Sequence, residues 1–155
     1  MNITIKLIAN YLYRTLEKGI NDHQKDPDSL QTPANVKNSD PAAVPGQLAI
    51  PNDADPRSLN LHGVTRIDLN FPKFTDGRAY SQAFLLRRRL GFAGEIRATG
   101  DVLVDQLVQM QRSGFDAAEL REDQNLAHAQ RQFDRFSGFY QGDAVNVAPH
   151  FSSAA

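Results

Sequence analysis

Between Val64 and Arg121 the chain alternates short β-favouring runs with stretches of helical period, and each helical stretch ends in glycine. Val64, Ile67, Leu69 and Phe71 are apolar and β-favouring, and Pro72 ends that run because it cannot donate to a ladder. After the turn Thr75-Asp76-Gly77, apolar residues recur at Ala79/Tyr80, Ala83/Phe84, Leu86 and Leu90, the spacing of one helix face, with Gly91 closing the helix. Gly94 to Thr99 reads as a second strand around Ile96. Gly100-Asp101 then precedes a helix carrying Leu103, Leu107 and Met110 on one face, ended by Gly114, and Ala117 to Leu120 is a third strand. The segment Gly91-Phe92-Ala93-Gly94-Glu95-Ile96-Arg97 resembles the one running from Gly114-Phe115-Asp116 to Arg121. Leu69, Ile96 and Leu120 stand roughly 25 residues apart, room for a strand, a helix and two short loops. The pattern predicts an α/β fold: tandem βα units with right-handed crossovers forming a small parallel sheet, open or partial-barrel-like, flanked by helices.

The flanks are read from texture. Residues 1–20 mix β-branched and aromatic side chains and fit a strand or a helix, with a strand over Ile3 to Ile8 preferred. Six of the eight prolines fall between Pro27 and Pro56 among Asp, Asn and Ser, so residues 21–58 read as a linker, with a short strand at Gln47 to Ile50 and a helical turn opened by Asp55-Pro56 as possible islands. The α/β domain is then expected over 59–142, including a last helix capped by Asp123, carrying Leu126, Phe133, Phe136 and Tyr140, and ended by Gly142. Residues 143–155 read as a flexible tail.

Composition narrows the chemistry. At 155 residues and 41% hydrophobic content the chain supports one core. With no cysteine it has no disulfide, thiolate nucleophile or Cys-bound metal. His23, His62, His128 and His150 are scattered without metal-ligand spacing, so no metal is expected. No G-x-G-x-x-G fingerprint follows a strand and no Gly-Lys-Ser/Thr loop is present, so no cofactor is expected. A net charge of -1 gives no global reason for a nucleic-acid or membrane partner, and the absence of a signal or long apolar run makes a cytoplasmic location the expectation. Arg87-Arg88-Arg89 with Arg112 forms a local basic patch, read as a solvated face rather than an RNA contact.

In a parallel α/β sheet, ligands gather where strand ends meet helix N-termini. That rule selects the loops 72–78, 97–101 and 121–123. Lys73, Arg78 and Arg97, with the backbone at Gly77 and Gly100, are candidates to hold a small anion such as sulfate or phosphate. Asp101 and Tyr80 are candidate proton-transfer groups, and Asp76, Asp101 and Asp123 are candidate helix caps. For Tyr80 a plain core role on an amphipathic helix is the competing reading.

The run Phe71-Pro72-Lys73-Phe74-Thr75-Asp76-Gly77-Arg78-Ala79-Tyr80-Ser81-Gln82-Ala83, the run from Gly94 to Leu103, Asp105-Gln106-Leu107 and Gly114-Phe115-Asp116 are similar to a bacterial family, the domain of unknown function family 934. The likeness spans Val64 to Leu120, with Asn70 where an acidic residue is usual and Ala118 where an aromatic is usual. Members are typically encoded beside sulfite reductase and phosphoadenylylsulfate reductase and carry the label of an oxidoreductase in sulfite reduction. The resemblance thus implies an accessory or coupling protein of sulfite reduction, with one of those reductases as partner. The alternative is a small enzyme acting by acid–base chemistry on a sulfate- or phosphate-bearing molecule, and a third reading is a scaffold whose polar loops only cap and solvate.

Overall fold

The computed structural model describes residues 3–8, 11–15, 45–136 and 138–154. The first part of the expected linker, 21–44, lies outside them, as does His23. Six strands are described: β1 (Ile3–Ile8), β2 (Tyr11–Thr15), β3 (Gln47–Ile50), β4 (Arg66–Phe71), β5 (Glu95–Gly100) and β6 (Ala117–Leu120). They form one sheet in the order β2-β1-β6-β5-β4-β3. Strands β3 to β6 run parallel, and β1 is antiparallel to both β6 and β2. The fold is α/β, and the sheet is open rather than closing toward a barrel. It is also mixed, because the N-terminal segment adds two antiparallel strands beyond the tandem βα units.

Helix α1 (Arg78–Arg88) connects β4 to β5, α2 (Leu107–Ser113) connects β5 to β6, and α3 (Leu126–Asp134) follows β6. Sequential parallel strands joined by right-handed crossovers place their helices on one face of the sheet. Alternation along each strand sorts the residues accordingly. Ile67, Leu69 and Phe71 of β4, Ile96 and Ala98 of β5, Ala118 and Leu120 of β6, and Ile5 and Leu7 of β1 are buried in one cluster with Ala79, Ala83 and Leu86 of α1 and Leu107 and Met110 of α2. The intervening positions make the opposite face polar. There Arg66 pairs with Asp68 at 2.9 Å, and Arg97 pairs with Glu95 at 2.8 Å and Glu119 at 3.6 Å.

Several elements depart from the periodic reading. Strand β3 is the short strand expected at Gln47 to Ile50, but it is not an island in a linker: it pairs with β4 from Gln47↔Arg66 to Ile50↔Leu69, so the sheet begins before residue 59. On α1, Gln82, outside the apolar set read from the spacing, is buried, and Phe84, within that set, is exposed. The Gln82 amide donates to the carbonyls of Pro51 at 2.9 Å and Ala54 at 2.8 Å, which ties the exit of β3 to the helix. Arg87 is likewise no solvated residue, since its guanidinium donates to the carbonyls of Phe92, Gly94 and Gly114 and to Asp116.

The last helix ends at Asp134, leaving Phe136 and Tyr140 outside it. The C-terminal segment meets α2: Ala144 N–H donates to the Arg112 carbonyl at 2.9 Å, and Arg112 reaches Asp143 at 3.4 Å and the Gln141 carbonyl at 3.2 Å. Asp143 also accepts from the amides of Val145 and Asn146, which forms a turn there.

Candidate functional site

Because β3 to β6 are parallel, the four loops that leave their carboxyl ends meet at one end of the sheet. Side chains join these loops in chain order. Asn52, after β3, donates to Asp76 in the β4–α1 loop at 2.6 Å. That loop meets the next through Phe74, whose N–H donates to Asp101 Oδ2 at 3.0 Å and whose carbonyl accepts from Gln106 Nε2 at 2.8 Å. The β5–α2 loop meets the last through Arg121, which donates to Asp101 Oδ1 at 2.7 Å, and through Gln124, which accepts from Val104 N–H at 3.1 Å. Arg121 also forks onto both oxygens of Asp123, at 2.7 and 2.8 Å.

The result is a cross-linked rim with one protruding feature. Phe74 has both backbone polar groups held by the neighbouring loop, while its ring is 50% exposed. Lys73 beside it is exposed and pairs with no described residue.

The expected site residues divide on this rim. Lys73, Asp76, Gly77 and Asp101 lie in its loops, with Arg78 opening α1 and Gly100 ending β5 beside them. Arg97 does not: it sits within β5 on the polar sheet face, 9% exposed at its side chain, against Glu95 and Glu119. A strand residue three positions before the end faces along the sheet, not out of its edge. Arg78 folds back onto Asp76, at 2.7 and 3.0 Å, so its charge is already answered. Gly100 serves the backbone: with φ at +93° it takes a conformation that side chains rarely adopt, and the next amide, Asp101 N–H, donates to the Phe71 carbonyl at 2.8 Å.

The caps also redistribute. Asp101 does not cap α2, which begins only after a tight turn over Val104–Gln106; its oxygens are taken by Phe74 and Arg121. Asp123 does not cap α3; Asn125 does, accepting from Ala127 N–H at 2.8 Å, while Asp123 is held by Arg121. Asp76 stands one residue before the N-cap Gly77 and accepts from Arg78 N–H at 3.2 Å, so it supports the start of α1 from outside. Sequence reasoning missed Asn52, Gln106 and Gln124 as cross-links. Their only signal is a polar amide in a loop at a strand end.

Tyr80 is largely a packing residue. Its ring meets Phe71 edge-on at 5.2 Å and Phe115 at 6.2 Å. Burial, aided by the charge of Asp105 and opposed by a hydrogen bond with Gln106, pushes its phenol up to about 12. A phenol held there is a poor base or acid near neutral pH.

The arginine pairs hold two carboxyls low. The Arg78 side chain beside Asp76 brings that carboxyl down to about 2, and Arg121 with Gln124 holds Asp123 well below the usual range. A depressed folded value contributes stability above the unfolded value and loses it as pH falls through the folded one. Asp116 runs the other way: burial raises its carboxyl, opposed by the hydrogen bond from the Ile96 amide and by the charge of Arg87. From the Asp76 shift, wild-type protein is expected to lose urea resistance between about pH 4 and pH 2, and Asp76→Asn to lose less across that same window. Urea midpoints at pH 5, 3.5 and 2.5 check this, and equal losses in both proteins would overturn it. Added salt should shrink the difference, because these groups are exposed.

Among the described residues, no helix is long and apolar enough to cross a membrane, and no three His, Asp or Glu side chains are grouped to hold a metal ion. No curated protein and no solved structure matches the chain. A family model described as a bacterial protein of unknown function, DUF934, matches residues 47–151, from the first residue of β3 to the C-terminal segment held on α2. That match spans more than half of the 155 residues, and the chain belongs to this family.

Proposed function

We propose that the protein is an accessory or coupling protein of assimilatory sulfite reduction, docking a reductase partner through the strand-end loops around Phe74 and Lys73. The observation that carries this reading is the held backbone of Phe74 beneath a half-exposed ring. An aromatic anchor already ordered in the free protein loses little entropy on binding, and such anchors carry much of the energy of protein interfaces. The sulfite pathway rests on the resemblance of the 71–83 and 94–103 runs to a family whose members are encoded beside sulfite reductase and phosphoadenylylsulfate reductase.

Catalysis by this rim is the weaker reading. Asp76, Asp101 and Asp123 are each engaged by an arginine, and Tyr80 is packed and weakly acidic. Holding an anion is also weaker, since Arg78, Arg97 and Arg121 are paired and Lys73 alone is left. The test is binding of the immobilised full chain to purified sulfite reductase and, separately, phosphoadenylylsulfate reductase. Wild type is expected to bind one of them, and Phe74→Ala to weaken binding by at least tenfold with an unchanged melting temperature. No binding to either enzyme, or equal binding by the variant, would overturn the proposal.

A further inference from the structure

A cavity of about 640 Å³ lies between α2, α3 and the C-terminal segment. Its volume is that of a small-molecule site, in the range of about 300 to 1,000 Å³. Leu7 and Phe115 line its base where β6 begins, away from the carboxyl ends of the parallel strands. Phe133, Phe136 and Phe139 supply ring surface on the α3 side. Two of those rings are left in water, Phe136 57% and Phe139 39% exposed, and exposed apolar surface rimming a cavity marks a ligand groove.

The Arg112 guanidinium lies over the Phe139 ring at 4.2 Å. A second cavity of about 260 Å³ shares Val108, Arg112, Phe136 and Phe139 with the first, so this stacked pair stands as a partition between the two. The charges on the wall are answered inside the protein: Arg112 by Asp143 and the Gln141 carbonyl, Asp116 by Arg87 and the Ile96 amide. These pairings leave the wall with no unbalanced charge, which favours a neutral ligand over an anionic one such as an acyl carboxylate. Gln111, on the same lining, donates an amide N–H to the Leu7 carbonyl at 3.1 Å.

We infer that this cavity is a binding site for a small, neutral, planar aromatic or heteroaromatic molecule. The ligand stacks among the phenylalanine rings and the Arg112 plane, and covers Phe136 and Phe139. This site is separate from the docking rim, and the two readings fail independently.

The probe is N-phenyl-1-naphthylamine, a neutral amine joining a phenyl to a naphthyl group that fluoresces on leaving water, titrated into the full chain. Saturable binding is expected, at least tenfold tighter than that of 1-anilinonaphthalene-8-sulfonate, which carries the same skeleton with an added negative charge. Val108→Trp, which fills the cavity, is expected to weaken the neutral probe at least tenfold. Asn146→Trp, on the exposed rim, does the same by narrowing the mouth should the first variant fail to fold. Phe74→Ala is expected to bind the probe as wild type does. Absence of saturable binding, tighter binding of the sulfonate, or unchanged binding in the folded tryptophan variants would overturn the inference. So would a dimer of the chain that the probe dissociates, since a second copy would then be the occupant.

Discussion

Replacing Gly100 by alanine is expected to lower the unfolding free energy by about 3 kcal/mol or more, seen as a fall of roughly 6 to 12 °C in melting temperature. Two causes add. The residue has φ at +93°, which costs an L side chain about 1 to 2 kcal/mol. A Cβ built there would also lie 2.4 Å from the Phe71 carbonyl oxygen and 2.6 Å from Asn70 Oδ1, closer than real Cβ contacts come. Relief requires moving the end of β4 away from β5, where Phe71 and Gly100 are register partners and Asp101 N–H donates to the Phe71 carbonyl. The same movement would loosen the β4–α1 loop, because Asp101 holds Phe74. Gly91→Ala is the control. It shares a positive φ, +64°, but its Cβ would meet nothing within 4 Å, so only the conformational cost of about 1 to 2 kcal/mol is expected. Equal losses in the two variants would show that the close approach at Gly100 is not what makes glycine necessary there.

The contrast between these glycines bears on what could be read from the chain itself. Strands β4, β5 and β6 were legible because a one-sided sheet writes its burial as alternation, as in Ile67, Leu69 and Phe71. Strand β3 was legible as a short strand, but its membership of the sheet was not, because its four residues sit between Pro45 and Pro51 and what places them is the ladder to β4, a partner 19 residues away in register. The strand-end rim was legible as a location, since topology alone puts those loops together. Its wiring was not. An aspartate in a βα loop can accept from its own helix or from a neighbouring loop, and Asp101 and Asp123 went to Arg121 while Asn125 took the cap of α3. Arg97 illustrates the same limit: a charge near a strand end looks available until register sets it against Glu95 and Glu119 on the sheet face. The aromatic cavity was least legible of all, because the segment that closes it, from Gly138 to His150, has no helical or strand period and is positioned by Arg112 and Asp143.

Arg87→Ala is expected to be the most destabilising substitution of a charged side chain among the described residues, costing about 3 to 5 kcal/mol. Its guanidinium lies under the turn that returns α1 to the sheet, 15% exposed, and donates to the carbonyls of Phe92 at 2.6 Å, Gly94 at 2.8 Å and Gly114 at 2.8 Å as well as to Asp116. The two similar glycine-phenylalanine segments that follow α1 and α2 are thus tied to one side chain. Removing it strips this donor from three carbonyls and leaves Asp116 with the Ile96 amide alone, and the penalty for stranding buried acceptors exceeds the net worth of any one bond. Lysine does not replace it: an ammonium carries a comparable charge but lacks the planar fork that meets four acceptors at once. Arg87→Lys is therefore expected to recover less than half of the loss, whereas Arg88→Ala and Arg89→Ala, in the same run of arginines, should stay within about 0.5 kcal/mol of wild type. Urea denaturation of the four variants measures this. A lysine variant as stable as wild type would mean that charge beside Asp116, rather than the geometry of the fork, is what the fold requires at this position.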